Sequence, residues 1–395
     1  MSDPNNKLSF ENTEIAFKHS SNAALNRAYW LFKIINVNFL VQVGPPITNF
    51  AVKIGLPIKG LIKATIFKHF CGGETIRECE NTIKSLAAGG VGTILDYSIE
   101  GEDDENVFDE TGEEIIRTVK RATKDTDIPI TVFKVTGVGR FLLLEKLDAK
   151  AELIGAEQQE WQKVQDRVLA ICEKAYSTGI PVMIDAEETW IQDTIDNLAI
   201  DMMRRFNKEK AIVYNTYQLY RHDKLQSLKD DFKIADKEGF ILGVKLVRGA
   251  YMEKERKRAL EKGYPSPIQP DKAAADKDYN AALDFCTDRI DKIAIVAGTH
   301  NEDSCRLLSD LINKKKIAHN NPHVYFSQLL GMSDNLSFNL ADAKYNVAKY
   351  VPYGPVKAVL PYLFRRAQEN TAIAGQMSRE LSLITKEKRR RKQKA

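Results

Sequence analysis

The chain has 395 residues, 43% of them hydrophobic, with 58 basic and 54 acidic side chains for a formal net charge of +4. That apolar content supports a large buried core and excludes a disordered chain, and so small a net charge excludes a general field for nucleic acid. The five cysteines, at 71, 79, 172, 286 and 305, are odd in number and never form a Cys-x-x-Cys pair. They argue against a disulfide framework or a zinc ribbon and for a reducing compartment.

The opening MSDPNN has no apolar core behind a basic start, so neither a secretory signal nor an obvious transit peptide is expected. Residues 1–88 read as an N-terminal helical region. Glu14 to Ile35 carries apolar residues at helical spacing in its second half, and Glu74 to Leu86 repeats the pattern with Ile76, Cys79, Ile83 and Leu86. Between them, residues 38–70 are apolar but broken by Gly, Pro and Lys, and no uninterrupted run reaches spanning length. A core helical pair is expected there, with an interfacial segment as the alternative.

From Gly89 the rhythm changes to short β-branched runs, each followed by a longer helical stretch. The runs are 93–98, 130–137, 181–187, 211–217, 241–251, 293–300, 324–331 and 348–354. Strands buried on both faces have this composition, and alternation with helices makes the sheet parallel. Eight such units over about 280 residues match a closed (βα)₈ barrel, placed at 89–378. A doubly wound open sheet is the alternative, but its phosphate fingerprint and a Walker sequence are both missing. Residues 379–395 form a basic tail whose KEKRRRKQK run reads as a solvated end.

In a parallel barrel the active site lies at the carboxyl ends of the strands, and the polar residues there are unusual for strands. Lys134 interrupts an apolar run and needs a partner. Asp185 closes the third strand, Asn215 and Tyr217 the fourth, and Lys245, Arg248 and Tyr251 lie on the fifth. With period two, Lys245 and Tyr251 share a face. After the last strand, a helix beginning near Pro355 has an apolar stripe of Val356, Leu360, Leu363, Phe364, Ala367, Thr371 and Ala374. Tyr362, Arg365, Arg366 and Glu369 fall on its other side, a face fit for gripping a small carboxylate. His319 and His323 straddle Asn-Asn-Pro, which breaks the helix that would align them, so no metal site is expected.

KLVRGAYMEKER (245–256), YxxRRxxEN from Tyr362 to Asn370, IDAEE (184–188), GTHN (298–301) and FSQLLGM (326–332) together resemble the proline dehydrogenase family over roughly residues 90–375. Lys245 departs from many bacterial relatives, which carry arginine there, and matches the mitochondrial-type pattern. The resemblance implies a distorted (βα)₈ TIM-like barrel, preceded by N-terminal helices, that holds noncovalent FAD and oxidises L-proline to Δ1-pyrroline-5-carboxylate. It implies that Arg365, Arg366 and Lys134 hold the carboxylate, that Tyr350, Tyr362 and Leu329 wall the ring, and that Asp185 and Lys245 are catalytic. Ala186, Asn215, Arg248, Gly249, Ala250, Thr299, His300, Gln328 and Glu369 would contact FAD. Glu100 would gate the site by pairing with Arg365.

A quinone is the acceptor that the resemblance implies. That places the protein in the cytoplasm, peripheral on the inner face of a membrane, with segment 38–70 and the basic tail as candidates for the contact. No fused aldehyde dehydrogenase is expected, so the product would pass to a separate pyrroline-5-carboxylate dehydrogenase. A hydroxyproline-oxidising relative and a noncatalytic anion-binding barrel are the alternatives.

Overall fold

A computed structural model describes residues 8–35, 59–99, 102–372 and 376–394, with no account of the side chains of 35, 61 and 367–378. Eight parallel strands close in the order β1 to β8 as a barrel, as the alternating pattern predicts. They are β1 (Gly92–Tyr97), β2 (Thr131–Phe133), β3 (Val182–Ile184), β4 (Val213–Gln218), β5 (Leu242–Val247), β6 (Ile293–Gly298), β7 (Val324–Leu329) and β8 (Val347–Tyr353). The chain divides into two units, residues 94–327 and residues 1–93 with 328–395, described in turn.

In the unit of residues 94–327 the register runs evenly, for example Ile184 opposite Asn215 and Lys245 opposite Val296. Every residue of β2, β3 and β4 is buried, because strands covered on both faces leave none for water. The helices between strands start at side-chain caps where the sequence supplies them. Asp104 accepts the Asn106 N–H, Asp271 the Ala274 N–H and Asn301 the Ser304 N–H.

Two expectations are shortened: the runs 130–137 and 181–187 each give a strand of only three residues, and the first is followed by a 3₁₀ turn over Val135–Gly137. Lys134 therefore stands just past the strand instead of within it. The turn forms because the Glu187 carboxylate takes the Thr136 N–H at 3.1 Å, so that group is not available to a strand ladder.

In the other unit the N-terminal helices are α1 (Thr13–Ala16), α2 (Asn22–Ile35), α3 (Lys59–Ile62), a π-helical turn (Lys63–Phe67), α4 (Lys68–Phe70) and α5 (Ile76–Ala87). The continuous helix expected from Glu14 to Ile35 is broken at residues 17–21, where Ser21 Oγ takes the Ala24 N–H and opens α2. Later come α6 (Asp334–Asp342), α7 (Val356–Ala372) and α8 (Gln376–Lys394), numbered here for this unit alone. Their core gathers Phe32, Phe67, Phe70, Val359, Leu363, Leu383 and Ile384 into one buried cluster.

The basic tail is thus a helix docked by Leu383 and Ile384, and not a solvated end. Several of its cations have partners: Arg379 pairs with Glu11, Arg390 with Glu14 at 3.0 Å, and Arg391 donates to the Phe17 and Ser20 carbonyls. Of segment 38–70, residues 38–58 lie outside the described residues, while Phe67 and Phe70 of the remainder are buried in the core. Among the described residues no helix is long and apolar enough to cross a membrane.

Candidate active site

In the unit of residues 94–327, the carboxyl ends of β1, β2, β3 and β5 bring two lysines and two aspartates together. Lys134 Nζ lies 3.3 Å from Asp185 Oδ2 and 3.7 Å from Asp96 Oδ2, and Lys245 Nζ is in close contact with Asp185 Oδ1. Ser98 Oγ donates to Asp96 Oδ2 at 2.5 Å. Asp96 and Lys245 are buried, with Asp185 only 7% exposed. Each buried charge therefore has a counter-charge, which offsets the cost of keeping it from water. Both lysines expected from sequence are brought onto the expected aspartate.

Glu187, two residues beyond Asp185, accepts from the Thr136 N–H and hydroxyl. Burial pushes its carboxyl up to about 8, with the neighbouring Glu188 carboxylate adding to the rise and the Thr136 hydroxyl opposing it. It ties the turn after Lys134 to the segment holding Asp185 and the half-buried Ala186. Gln218 at the end of β4 donates through Nε2 to the Glu187 carbonyl at 3.0 Å, and its buried Oε1 has no hydrogen-bond partner.

A second group stands beyond β5 and β6. Arg248 pairs with Asp276 at 2.6 Å, donates to Thr299 Oγ1 at 2.8 Å and to Ser304 Oγ at 2.9 Å, and lies with its Cζ 4.4 Å from the centre of the Tyr279 ring. Gly249 has φ +141°, and a Cβ there would sit 2.3 Å from the Tyr220 ring, so no other residue fits the turn leading to Ala250. Half-buried His300 follows Thr299 in the next loop.

Asn215 is placed differently from its expected role. Its Nδ2 donates to Asp196 at 2.9 Å, and the same-parity Tyr217 hydroxyl donates to Asp231 at 2.7 Å. Both carboxylates belong to flanking helices, so the side chains of this parity point away from the barrel interior. Gln218, of the other parity, is the residue that reaches Glu187. Asp96, Glu187 and Gln218 went unremarked in the sequence. An acid inside the apolar run TILDYS was the available signal for Asp96, and period two within β4 was the signal for Gln218.

In the unit of residues 1–93 and 328–395, α7 follows β8 through Gly354 and Pro355. The helix N-terminus is met by Glu74, whose Oε2 takes the Val356 N–H at 3.3 Å. Lys63 foremost, against the opposing effect of burial, holds that carboxyl down at about 2, and a carboxylate at this position suits the helix dipole.

The stripe residues Val356, Leu360 and Leu363 are buried as expected, but so are Val359, Tyr362 and Arg366. The part of the polar face carried by Tyr362 and Arg366 is therefore enclosed. Arg366 is 9% exposed, and its Cζ lies 5.3 Å from the Tyr362 ring centre. Arg365 is half-buried. Leu329 packs against the cluster that contains Tyr362. Tyr350, buried on β8, takes the Leu330 N–H on its carbonyl at 2.9 Å. The Gln328 carboxamide oxygen accepts from Ser337 Oγ at 2.8 Å. Glu100 lies outside the described residues, as does the side chain of Glu369. The same unit has a cavity of about 820 Å³ lined by residues that include Arg27, Phe32, His69, Gly331, Phe338 and Glu380, and none of the expected site residues lines it.

Comparison with known proteins is specific. The family profile of proline dehydrogenases matches residues 79–379. Proline dehydrogenase 1, mitochondrial, from Dictyostelium discoideum is 34% identical over 98% of this chain and 76% of its own length. The carbapenem antibiotics biosynthesis protein CarD of Pectobacterium carotovorum is 34% identical over 84% of this chain and 86% of its own. Among solved structures, proline utilization A (PutA) from Bdellovibrio bacteriovorus superposes with a TM-score of 0.72 at 19% identity. That alignment takes in 96% of this chain and 42% of the PutA chain, so this chain spans less than half of that protein.

Proposed function

We propose that this chain, which belongs to the proline dehydrogenase family, oxidises L-proline to Δ1-pyrroline-5-carboxylate with FAD as hydride acceptor and a quinone as the final one. The ring carbon next to nitrogen gives up a hydride, the nitrogen gives up a proton, and a C=N bond forms between them. FAD supplies the two-electron acceptor when bound.

The residues present fit that cofactor. The Arg248 guanidinium and the Thr299 and Ser304 hydroxyls gather donors suited to phosphate and ribose. Gln218 adds a buried acceptor with no hydrogen-bond partner. Gly249, Ala250, Ala186, His300, Gln328 and Glu369 are assigned to it from the family pattern, and Gln218 is a better-placed candidate than Asn215.

The substrate is a small zwitterion, so its carboxylate needs cations and its ring an apolar wall. Arg365 and Arg366 take the carboxylate with Lys134, and Leu329, Tyr350 and Tyr362 pack the ring. Lys245, held against Asp185, supplies a fixed positive charge where electron density arrives from the substrate. Glu100 gates the site through Arg365.

The observation that carries the reading is the buried Lys134–Asp185–Lys245 group at the strand ends, in a chain of this family. The purified protein, reconstituted with FAD, should be yellow and should bleach on anaerobic addition of L-proline. A flavin spectrum that L-proline leaves unchanged would overturn the assignment.

A further inference from the structure

The turn after β7 runs from Leu330 to Ser333, directly beyond Gln328 and Leu329. Its backbone is held from outside at nearly every peptide. His69 on α4 donates through Nε2 to the Gly331 carbonyl at 2.9 Å. Lys349, fully buried on β8, donates to the Met332 carbonyl and to that of Leu329 at 3.4 Å, and pairs with Asp334 at 2.7 Å. Ser333 adopts a left-handed conformation with φ +52°, and its N–H is taken by Glu380 Oε1 at 2.5 Å.

Glu380 is the unexpected member. It comes from α8, the C-terminal helix, and is only 5% exposed, a costly place for a carboxyl group without a hydrogen-bonding purpose. Gly331, Asp334, His69 and Glu380 all line the 820 Å³ cavity. The turn is therefore supported on that side by polar struts more than by close-packed apolar side chains.

We propose that Glu380 is a positioning residue, through which the C-terminal helix sets the turn after β7 and with it the placement of Gln328 and Leu329 toward cofactor and proline. The inference rests on the proposed function for the roles of Gln328 and Leu329. The strut itself is independent of that reading.

The test uses the full chain in four forms: wild type, Glu380→Leu, Glu380→Gln and, as a control on the same helix, Arg379→Gln. Losing a hydrogen bond to a buried N–H makes local opening easier on the order of tenfold or more. Amide hydrogen exchange at residues 331–334 should accelerate by that factor in Glu380→Leu. The KM for L-proline should rise severalfold with kcat little changed. Glu380→Gln keeps an acceptor of the same reach and should restore both, and Arg379→Gln should match wild type. If Glu380→Leu does not fold, Glu380→Asp gives the same comparison, since it keeps the carboxyl but is one carbon too short.

Unchanged exchange at 331–334 in a folded variant overturns the strut, and so does a failure of Glu380→Gln to restore it. A protein that never oxidises proline would instead overturn the proposed function and leave the exchange result standing.

Discussion

At the scale of single residues, Arg366 combines a charge with a packed side chain. It is 9% exposed and lies over the Tyr362 ring. Removing a charged partner from a desolvated pocket costs about 2–5 kcal/mol, so Arg366→Met should raise the KM for proline strongly. Arg366→Lys should rescue only part of the loss, because an ammonium gives neither the bidentate fork nor the same stacking. A near-normal KM for Arg366→Met would remove this residue from the carboxylate site. Tyr350, proposed to wall the ring, tests the apolar side of the proposed site. A phenol against the ring should crowd a 4-hydroxyl group, so proline should be favoured over trans-4-hydroxy-L-proline, and Tyr350→Ser should narrow the gap. The ratio of kcat/KM for the two substrates measures it, and a ratio that does not move means Tyr350 only fills the barrel top.

At the scale of elements, the loops after β2 and β3 are joined by Glu187, and that joint should be visible in pH-dependent stability. Its carboxyl is raised to about 8 in the folded chain against about 4.3 when unfolded. The folded state therefore holds a proton that the unfolded state releases. The stability this proton contributes is fully present below the unfolded value and is lost as pH rises through about 8. The groups acting on Glu187 are Glu188 and Thr136 at the two loops and Lys134 beside them. Relative to Glu187→Gln, the wild-type Tm should fall between pH 5 and pH 9, and parallel curves would mean that Glu187 does not titrate there. The strands themselves were legible because runs such as IAIVAG and VMIDA have one reading. The short β2 was not, because the residue that ends its ladder, Glu187, lies 51 positions from Thr136. Period two separated Gln218 from Asn215 within β4, yet nothing local says which parity faces inward. The two arginines of α7 were legible as a pair, but their burial depends on packing that no local pattern encodes.

At the scale of the molecule, the N-terminal and C-terminal segments are joined, and two kinds of interaction compete to explain the joint. One is the set of ion pairs from α8 to Glu11 and Glu14, whose side chains are both 57% exposed. Such pairs contribute about 0–1 kcal/mol each and weaken with salt. The other is burial of Leu383 and Ile384, 1% and 2% exposed, where truncation to alanine costs about 2–5 kcal/mol apiece. The apolar contacts should therefore win. Leu383→Ala should lower the Tm by several degrees at low and high salt alike, whereas Glu11→Gln with Glu14→Gln should lower it slightly at low salt and hardly at all in 1 M salt. The charged run of the tail looked like a free polycation because, apart from Glu387 within the helix, its partners at Glu14, Phe17 and Ser20 lie more than 360 residues away. With Arg379, Arg390 and Arg391 engaged, Arg389 and Lys392 remain as exposed cations that could meet anionic headgroups. Replacing both by glutamine should leave the Tm unchanged and weaken binding to anionic vesicles at low salt. Vesicle binding that survives this double substitution would remove the tail as the membrane contact.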